Sequence, residues 1–588
     1  MGSPRSFTVL GGGLSGLSAA FHLSRRFPAR TGTRITLLEK SSRLGGWVQS
    51  ERVRVKDKHG HEAEILLESG PRTLRPASKA VLEIIHLLNL ESSLLTVPRN
   101  APAARNRFLH VPGSKGLLTI PGSLPALLVS PLAKILVPAM YRDFRRINGT
   151  VLNASSPNDE SVDAFFTRHF GPEFARTFGS ALIHGIYATD SRLLSVRAAF
   201  SAVCRLEESG NGSVVRGALR EMMSSLRKRK SQRKTVDEEA EAYDMGEVAH
   251  LMKGVSVYSF RDGMQTLTDA MASRLRQQEN VEIIHGDGAA SLIKTVDGFQ
   301  VITSSGREIA TSQLISALPL PLLHRLLTTS NHTSLAPSSN PLSQSHPATP
   351  SVQRRLPPPP FPHPALSARS GIPGRYEASN PHPNIVPPAS SHASTSLRNT
   401  VPPLPHVLAN PSSSVTVVNI VFPPSDTPIH PEGFGYLIPR PVSDYPSQGT
   451  TLGMLGTVFD SCSLNGQDIS FSADRRSPKF TKVTVMLGGP YGPPSPDPSS
   501  AEFLPALLGA LQQHLGHPEP LPEPCLVRVR RHPDCIPTLT VGHVARMAEL
   551  REAVREKMGQ GAAVIGAGVG GVSVGDCIES GRRVALEL

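Results

Sequence analysis

The chain has 588 residues, 39% of them hydrophobic, with 54 prolines, 49 glycines and a formal net charge of +13. That length is too great for one simple core, so two or more domains are expected at about 100–200 residues each. No uninterrupted apolar run reaches the roughly 18 residues of a spanning helix, which excludes a predicted transmembrane segment.

Residues 7–10 read as a short buried strand, 14–26 as a helix with Leu14, Leu17, Ala20, Phe21 and Leu23 on its apolar side, and 34–38 as a second strand. With the strand starting near Phe7, no room is read for a cleavable presequence, and no secretory signal is seen. A helix is predicted over 81–95. The apolar stretch 117–144 is broken by Pro121, Pro125, Pro131 and Pro138, and 162–180 reads as helical. Residues 219–250 are charged and poor in apolar side chains, and read as an insertion with little fixed structure. Their basic runs, at 227–230 and 233–234, fit a solvated loop. With no aromatic RNA-binding motif and no helix-turn-helix pattern, no nucleic-acid partner is expected.

Strands are predicted at 281–285, 298–302 and 313–318. From 330 to 411 the chain is rich in Pro, Ser, Asn and His and includes PPPPFPHP at 357–364. Such a segment buries too little to offset its ordering entropy, so a disordered insertion is expected, with a partner-binding polyproline segment as the alternative. SVTVVNIVF (414–422) and KVTVMLGG (482–489) read as strands, a helix follows around 501–515, and AAVIGAG (562–568) is a strand running into a glycine turn and a last helix. The five cysteines, Cys204, Cys462, Cys525, Cys535 and Cys577, form no CxxC pair and no zinc spacing. They read as mostly buried thiols in a reducing environment.

The first strand, turn and helix carry a site. Gly11, Gly13 and Gly16 form GxGxxG between strand and helix, and Glu39 ends the next strand. The glycines permit the tight turn, backbone approach to a pyrophosphate and close helix–strand packing, and the helix N-terminus faces the negative charge. A carboxylate at Glu39 would accept hydrogen bonds from a ribose diol. Dinucleotide binding is therefore expected over a purely structural turn.

After Glu39 come Lys40, Arg43, the pair Gly45–Gly46 and Trp47. This continuation resembles the flavoproteins that include monoamine oxidases, phytoene desaturases and protoporphyrinogen oxidases, in which the arginine and glycine pair lie against the FAD diphosphate. In such proteins the last strand and helix return to the flavin, so the resemblance gives GVSVGDCIESG (571–581) to the same site, with a helix starting near Gly570 aimed at the isoalloxazine. Further segments are similar to the protoporphyrinogen oxidase family: GPRTLRP (70–76), RNRFL (105–109), GIYATDSRLLSVR (185–197), ISALP (315–319), GFGYLIP (433–439), LGTVFDS (455–461), VTVMLGG (483–489) and CIPTLTVGH (535–543). Two departures stand out: Leu539 where the family has Tyr, and Asp262–Gly263 where a Gly pair is common.

The resemblance implies a Rossmann-like α/β FAD-binding domain, a mixed-sheet substrate domain and a helical membrane-associated region. FAD would be held by Gly11, Gly12, Gly13, Leu14, Ser15, Gly16, Glu39, Lys40, Arg43, Gly46, Trp47, Gly70, Pro71, Arg72, Thr73, Ala289, Val572, Ser573 and Val574. Arg107 matches the anchor of a porphyrinogen propionate, and Leu182, Phe434, Gly435, Leu437 and Met486 match the macrocycle pocket. Their bland readings are a surface arginine and ordinary core packing. The expected segments are 1–100, 251–329 and 536–588 for FAD, with substrate contacts also from 251–329. Residues 101–218 would form the membrane and substrate-entry region and 412–535 the substrate domain, with insertions at 219–250 and 330–411.

The implied reaction is the six-electron oxidation of protoporphyrinogen IX to protoporphyrin IX in three hydride transfers to flavin, with oxygen as final acceptor and hydrogen peroxide released, the penultimate step of haem biosynthesis. No acid–base residue is named, because the pyrrole nitrogens shed protons themselves. The resemblance also implies peripheral or monotopic contact at the mitochondrial inner membrane, through 117–140 with Lys115 and Lys134, and extends to a homodimer and a ferrochelatase contact. Two rivals stay open: an FAD amine oxidase or carotenoid desaturase, and a flavin-bearing scaffold whose Pro-rich segment does the work.

Overall fold

The computed structural model describes residues 5–146, 159–231, 243–333, 399–400, 403–471 and 479–588. A five-stranded parallel sheet runs in the order Ala562–Val564, Gln313–Ser316, Ser6–Leu10, Arg34–Glu39, Val281–His285. Its strands are apolar on both faces, as a parallel sheet covered on both sides requires. The helix Leu14–Arg26 packs along the C-terminal helix Val574–Glu587, and Ser18 Oγ donates to Ile578 O at 2.7 Å. Gly581 makes that approach possible, since a Cβ there would sit 2.5 Å from Ser15 O. The two ends of the sequence thus form one layer.

A seven-stranded sheet follows the order Leu526–Pro537, Ser412–Phe422, Thr481–Gly488, Met454–Val458, Gly435–Leu437, Phe108–Leu109, Leu118–Thr119. Alternation along Ser412–Phe422 divides its faces. Val418, Ile420 and Phe422 join a core beneath the helix Phe503–Leu515, and Val415, Val417, Asn419 and Val421 point the other way. That second face meets a three-stranded antiparallel sheet through its strand Glu62–Glu68: Asn419 Nδ2 donates to Glu68 O at 3.3 Å and Lys482 Nζ to Leu66 O at 2.7 Å.

Several sequence expectations are corrected. The helix predicted over 81–95 is Lys79–Leu87. Asn89 takes a positive φ of 55°, and Leu94–Pro98 becomes a strand paired with Val255–Phe260, so tertiary pairing overrides local helical periodicity. The helix predicted over 162–180 is broken only at Gly171: Val162–Phe170 ends there, and helix resumes at Pro172 and runs through a π-helical stretch, Ala175–Gly179, into Ser180–Tyr187. Residues 219–250 are not structureless throughout. The helix Val214–Ser231 covers the first part, with Leu219, Met222 and Met223 at helical spacing, and Val248 is fully buried near its end. Of the 330–411 stretch, residues 334–398 and 401–402 lie outside the described residues. Its tail is ordered: Leu404 and Val407 are buried, Asn410 Nδ2 donates to Gly568 O at 3.2 Å, and Asn399–Thr400 adds a strand to Ala289–Lys294. The strand within 562–568 ends at Val564, and the last helix begins at Val574 rather than near Gly570.

Candidate functional site

The first glycine turn is built around Glu39. Gly12 N–H donates to Glu39 Oε2 at 2.7 Å and Ser41 N–H to Oε1 at 2.8 Å, so the carboxylate is fixed at the strand end with lone pairs to spare. A Cβ on Gly16 would fall 1.8 Å from Gly11 O, so only glycine fits. Gly13 is the helix N-cap and has no side chain to satisfy the first-turn N–H groups of Leu14 and Ser15. A Cβ on Gly13 would meet nothing nearer than Gly46 Cα, at 3.9 Å. The two glycine backbones lie in contact, since a Cβ on Gly46 would sit 3.2 Å from Gly13 Cα, and the free donors beside them have the chemistry of an anion cradle.

Arg43 acts within its own loop. It donates to Leu44 O at 3.1 Å, to Val48 O at 3.0 Å and to Gly46 O, folding the segment that presents Gly46. Trp47 is 45% exposed and lies edge-on to His532, ring centroids 5.3 Å apart. His532 Nε2 in turn bonds to Ser69 O at 2.9 Å, so strand Leu526–Pro537 props the Trp47 loop against residues 69–73. Lys40 is exposed beside Gly288, which sets the strand beginning at Ala289 against the end of the second strand of the parallel sheet.

Gly70 packs so tightly that a Cβ would lie 2.3 Å from Trp47 O. Arg72, flanked by half-buried Pro71 and Thr73, is only 6% exposed, yet its guanidinium makes no hydrogen bond among the described residues. Its ion-pair partner, Asp460 Oδ1, stands off at 3.6 Å. A buried guanidinium in that state lacks acceptors that a diphosphate or a flavin edge would supply. Glu68, two residues before Gly70, is buried, and burial pushes its carboxyl up to about 7.

The second glycine turn arrives beside the first, with Gly566 abutting Ser15 Oγ. Val572 is half-buried and Ser573 caps the last helix, accepting from Asp576 N–H at 3.1 Å while Asp576 Oδ2 accepts from Ser573 N–H at 3.0 Å. This capping box uses part of the helix's positive end, leaving the N–H groups of Val574 and Gly575 to meet a ligand.

The six pocket residues divide between neighbouring strands and one helix. Leu182 (37% exposed) is on Ser180–Tyr187, whose Gly185 is pressed against Leu437. Leu437 covers Gly456, which pairs with Met486, which in turn faces Val417. Gly435 has a φ of 140°, and a Cβ there would strike Thr457 O at 2.2 Å. Phe434 N–H donates to Asn106 O at 3.0 Å, which places exposed Arg107 beside Phe434. Leu182, Leu437 and Met486 thus share one apolar wall, and Arg107 and Phe434 lie farther along the same strand pair. The two departures are quiet: Leu539 is a core residue, 1% exposed, and Asp262 is an exposed partner of Arg52 at 2.9 Å.

Sequence reading missed Asp460, Thr484, Asn419 and His532. Asp460 stood within LGTVFDS, but no local signal links it to Arg72.

A model of the family described as flavin containing amine oxidoreductase matches residues 14–355. Protoporphyrinogen oxidase from Schizosaccharomyces pombe is 28% identical over 603 aligned residues, covering 99% of this chain and 98% of that protein. The Homo sapiens protoporphyrinogen oxidase is 28% identical with the same coverage. Among solved structures, a protein from Exiguobacterium sp. 255-15 assigned as a protoporphyrinogen oxidase superposes with TM-score 0.65 at 18% identity, covering 99% of this chain and 98% of that one. Cyclohexylamine oxidase from Brevibacterium oxydans shares the fold with TM-score 0.53 at 11% identity, again over 99% and 98%.

Proposed function

The chain belongs to the flavin containing amine oxidoreductase family, and from that premise we propose that this flavin-dependent oxidoreductase converts protoporphyrinogen IX to protoporphyrin IX. The observation that carries this reading is the end-to-end alignment with protoporphyrinogen oxidases of fission yeast and human, each covering 99% of the chain. FAD is the cofactor, and the cradle of Gly13 and Gly46 with the acceptor-starved Arg72 fits it.

Bound FAD supplies the two-electron acceptor, and oxygen the final oxidant, for the three oxidations that make the macrocycle aromatic. The chain's own residues bind and orient. The free N–H groups at Leu14 and Ser15 and the guanidinium of Arg72 would meet the diphosphate and flavin, Glu39 the ribose, and Trp47, Gly70, Pro71, Thr73 and Val572–Val574 would wall the cofactor in. Leu182, Leu437, Met486 and Phe434 would clamp a flat apolar ring, with Gly435 letting the backbone between Phe434 and Leu437 close on Thr457, and Arg107 would hold a propionate. Lys40, Arg43 and Ala289 would frame the adenosine end. The segments 1–100, 251–329 and 536–588 would act as the FAD-binding unit and 412–535 as the substrate unit.

No helix among the described residues is long and apolar enough to cross a membrane. The short helices Leu124–Val129 and Ala133–Phe144 nonetheless expose apolar side chains, which supports one-leaflet contact and substrate entry from lipid. A tobacco relative is named as the mitochondrial protoporphyrinogen oxidase, in keeping with a place at the mitochondrial inner membrane for this chain. A homodimer and a ferrochelatase contact belong to the same proposal, testable by sedimentation and by pull-down.

The deciding assay adds protoporphyrinogen IX to the purified protein in air and follows porphyrin fluorescence against an enzyme-free control. A protein-dependent rise, lost on FAD removal, is expected. A yellow, FAD-loaded protein that gives no rise would overturn the activity while leaving the family in place.

A further inference from the structure

Two guanidinium groups beside the candidate substrate site have no counter-ion among the described residues. Arg75 ends the loop that holds Arg72, but where Arg72 is turned inward and buried, Arg75 is exposed. Arg107 is also exposed, and neither residue makes an ion pair or a side-chain hydrogen bond with any described residue.

The backbone brings them to one place from distant parts of the chain. Leu74 and Tyr258 exchange hydrogen bonds of 2.7 and 2.9 Å, which sets Arg75 against the strand Val255–Phe260. Asn106 O accepts from Phe434 N–H, which sets Arg107 against Phe434. Val257 and Phe434 pack into a single apolar cluster with Val97 and Ala103. The two arginines therefore flank one cluster, and their charges are felt: the partly covered base of the otherwise exposed Arg107 side chain first, and then the Arg75 charge, hold its guanidinium below its usual value. Like charges held together by the fold, with no acid nearby, are poised for a ligand that brings its own negative charges.

We propose that Arg75 and Arg107 form a paired carboxylate anchor, so that the site selects a tetrapyrrole carrying two free carboxylic acids over one whose acids are esterified. The proposal rests on the porphyrinogen reading above for its ligand class. Each planar guanidinium can take one carboxylate in a two-point grip, and binding both acids removes the repulsion between the arginines. Arg72 and Arg75 share one short loop, so cofactor and substrate acid would be held by the same backbone.

The test measures equilibrium binding of protoporphyrin IX and of its dimethyl ester to FAD-loaded protein in detergent, by fluorescence titration, alongside KM and kcat for protoporphyrinogen IX. Wild type, Arg75→Ala, Arg75→Lys, Arg107→Ala and the double variant are compared. Arg75→Ala is expected to weaken binding of the diacid about tenfold. It should leave ester binding unmoved, with the loss of turnover falling on KM. Arg75→Lys should recover part of the loss, since it restores charge without the planar fork. Equal binding of the diacid by Arg75→Ala and wild type overturns the anchor, as does an equal loss for diacid and ester. The two readings fail separately. A wild type that prefers the diacid through Arg75 but turns over no protoporphyrinogen sinks the activity and keeps the anchor. Normal turnover with no Arg75 effect on the diacid does the reverse.

Discussion

At the scale of single residues, the most informative group is Arg72. Removing a guanidinium from water without giving it acceptors costs several kcal/mol on the scale of about 2–7 kcal/mol for uncompensated polar groups. Asp460, at 3.6 Å, is beyond hydrogen-bond reach, and the buried Glu68 carboxyl feels the Arg72 charge without bonding to it. Asp460 is itself held: Thr484 Oγ1 donates to it, and Asn419 Nδ2 donates to Thr484 Oγ1 at 2.8 Å. This buried chain fixes the acid so that the guanidinium is left pointing at the cofactor side. Asp460→Asn keeps the shape and the acceptor for Thr484 while removing the charge. Reconstitution of apo-protein is expected to show about tenfold weaker FAD binding, with partial recovery in Asp460→Glu. An unchanged dissociation constant would falsify the positioning role of Asp460. The motif containing Asp460 was legible in the sequence, but its partner was not, because strand pairing across two sheets brings the two together.

At the scale of elements, the pair Leu124–Val129 and Ala133–Phe144 is unusual. Leu128 is 78% exposed and Val129 85%, with Val137, Met140, Tyr141 and Phe144 all above 40%, so the alternative of ordinary buried helices does not describe them. Pro125 opens the first helix and Pro138 sits inside the second without breaking it, and at 6 and 12 residues both are too short to span a bilayer. The second helix is tied down by its far end, where buried Asp143 accepts from Ser213 Oγ at 2.8 Å and from Val215 N–H at 2.7 Å. If this face meets one leaflet, Val129→Asp with Met140→Asp moves the protein from the membrane pellet to the supernatant in a flotation assay while FAD stays bound. Undiminished flotation of that double variant would remove the membrane role from these helices.

For the whole molecule, buried histidines set the acid limit. Burial holds His22 at about 3 and His184 and His543 at about 4, against 6.5 for the free side chain. Burial keeps His184 neutral against the opposing pull of its bond to Ile438 O, and the neutral ring donates to that carbonyl at 2.7 Å and accepts from Tyr445 Oη at 2.8 Å. The unfolded chain takes up protons at these groups below pH 6.5 and the folded one does not, so stability is full above 6.5 and is lost as pH falls toward 4. Each fully buried group contributes up to about 2 kcal/mol of that loss between pH 6.5 and 5. Glu68 acts in the opposite direction, because a carboxyl raised to about 7 loses stability as pH rises from 4.5 to 7. Burial raises Asp468 in the same sense, but it also holds His514 at about 3 and lowers His110, His430 and His532, so the depressed histidines outnumber the raised carboxyls and stability falls on acidification. The urea midpoint at pH 5 should therefore lie clearly below that at pH 7; equal midpoints would contradict the buried neutral histidines.

The chain by itself determined what depends on neighbours along the backbone. The turn at Gly11–Gly16, the helix Leu14–Arg26 and the strands around 6–10, 34–39 and 412–422 are written in short-range periodicity and in glycines that tight backbone contact requires. Tertiary structure decided what depends on distant partners. Leu94–Pro98 left its helical pattern because Val255–Phe260 offered a ladder of hydrogen bonds, and the tail of the Pro-rich stretch became ordered because Leu404 and Val407 found a core to enter. Arg72 and Asp460, and likewise Arg75 and Arg107, acquired their meaning in the same way. Electrostatic interaction falls with distance through space, and sequence separation carries no information about that distance until the sheets have formed.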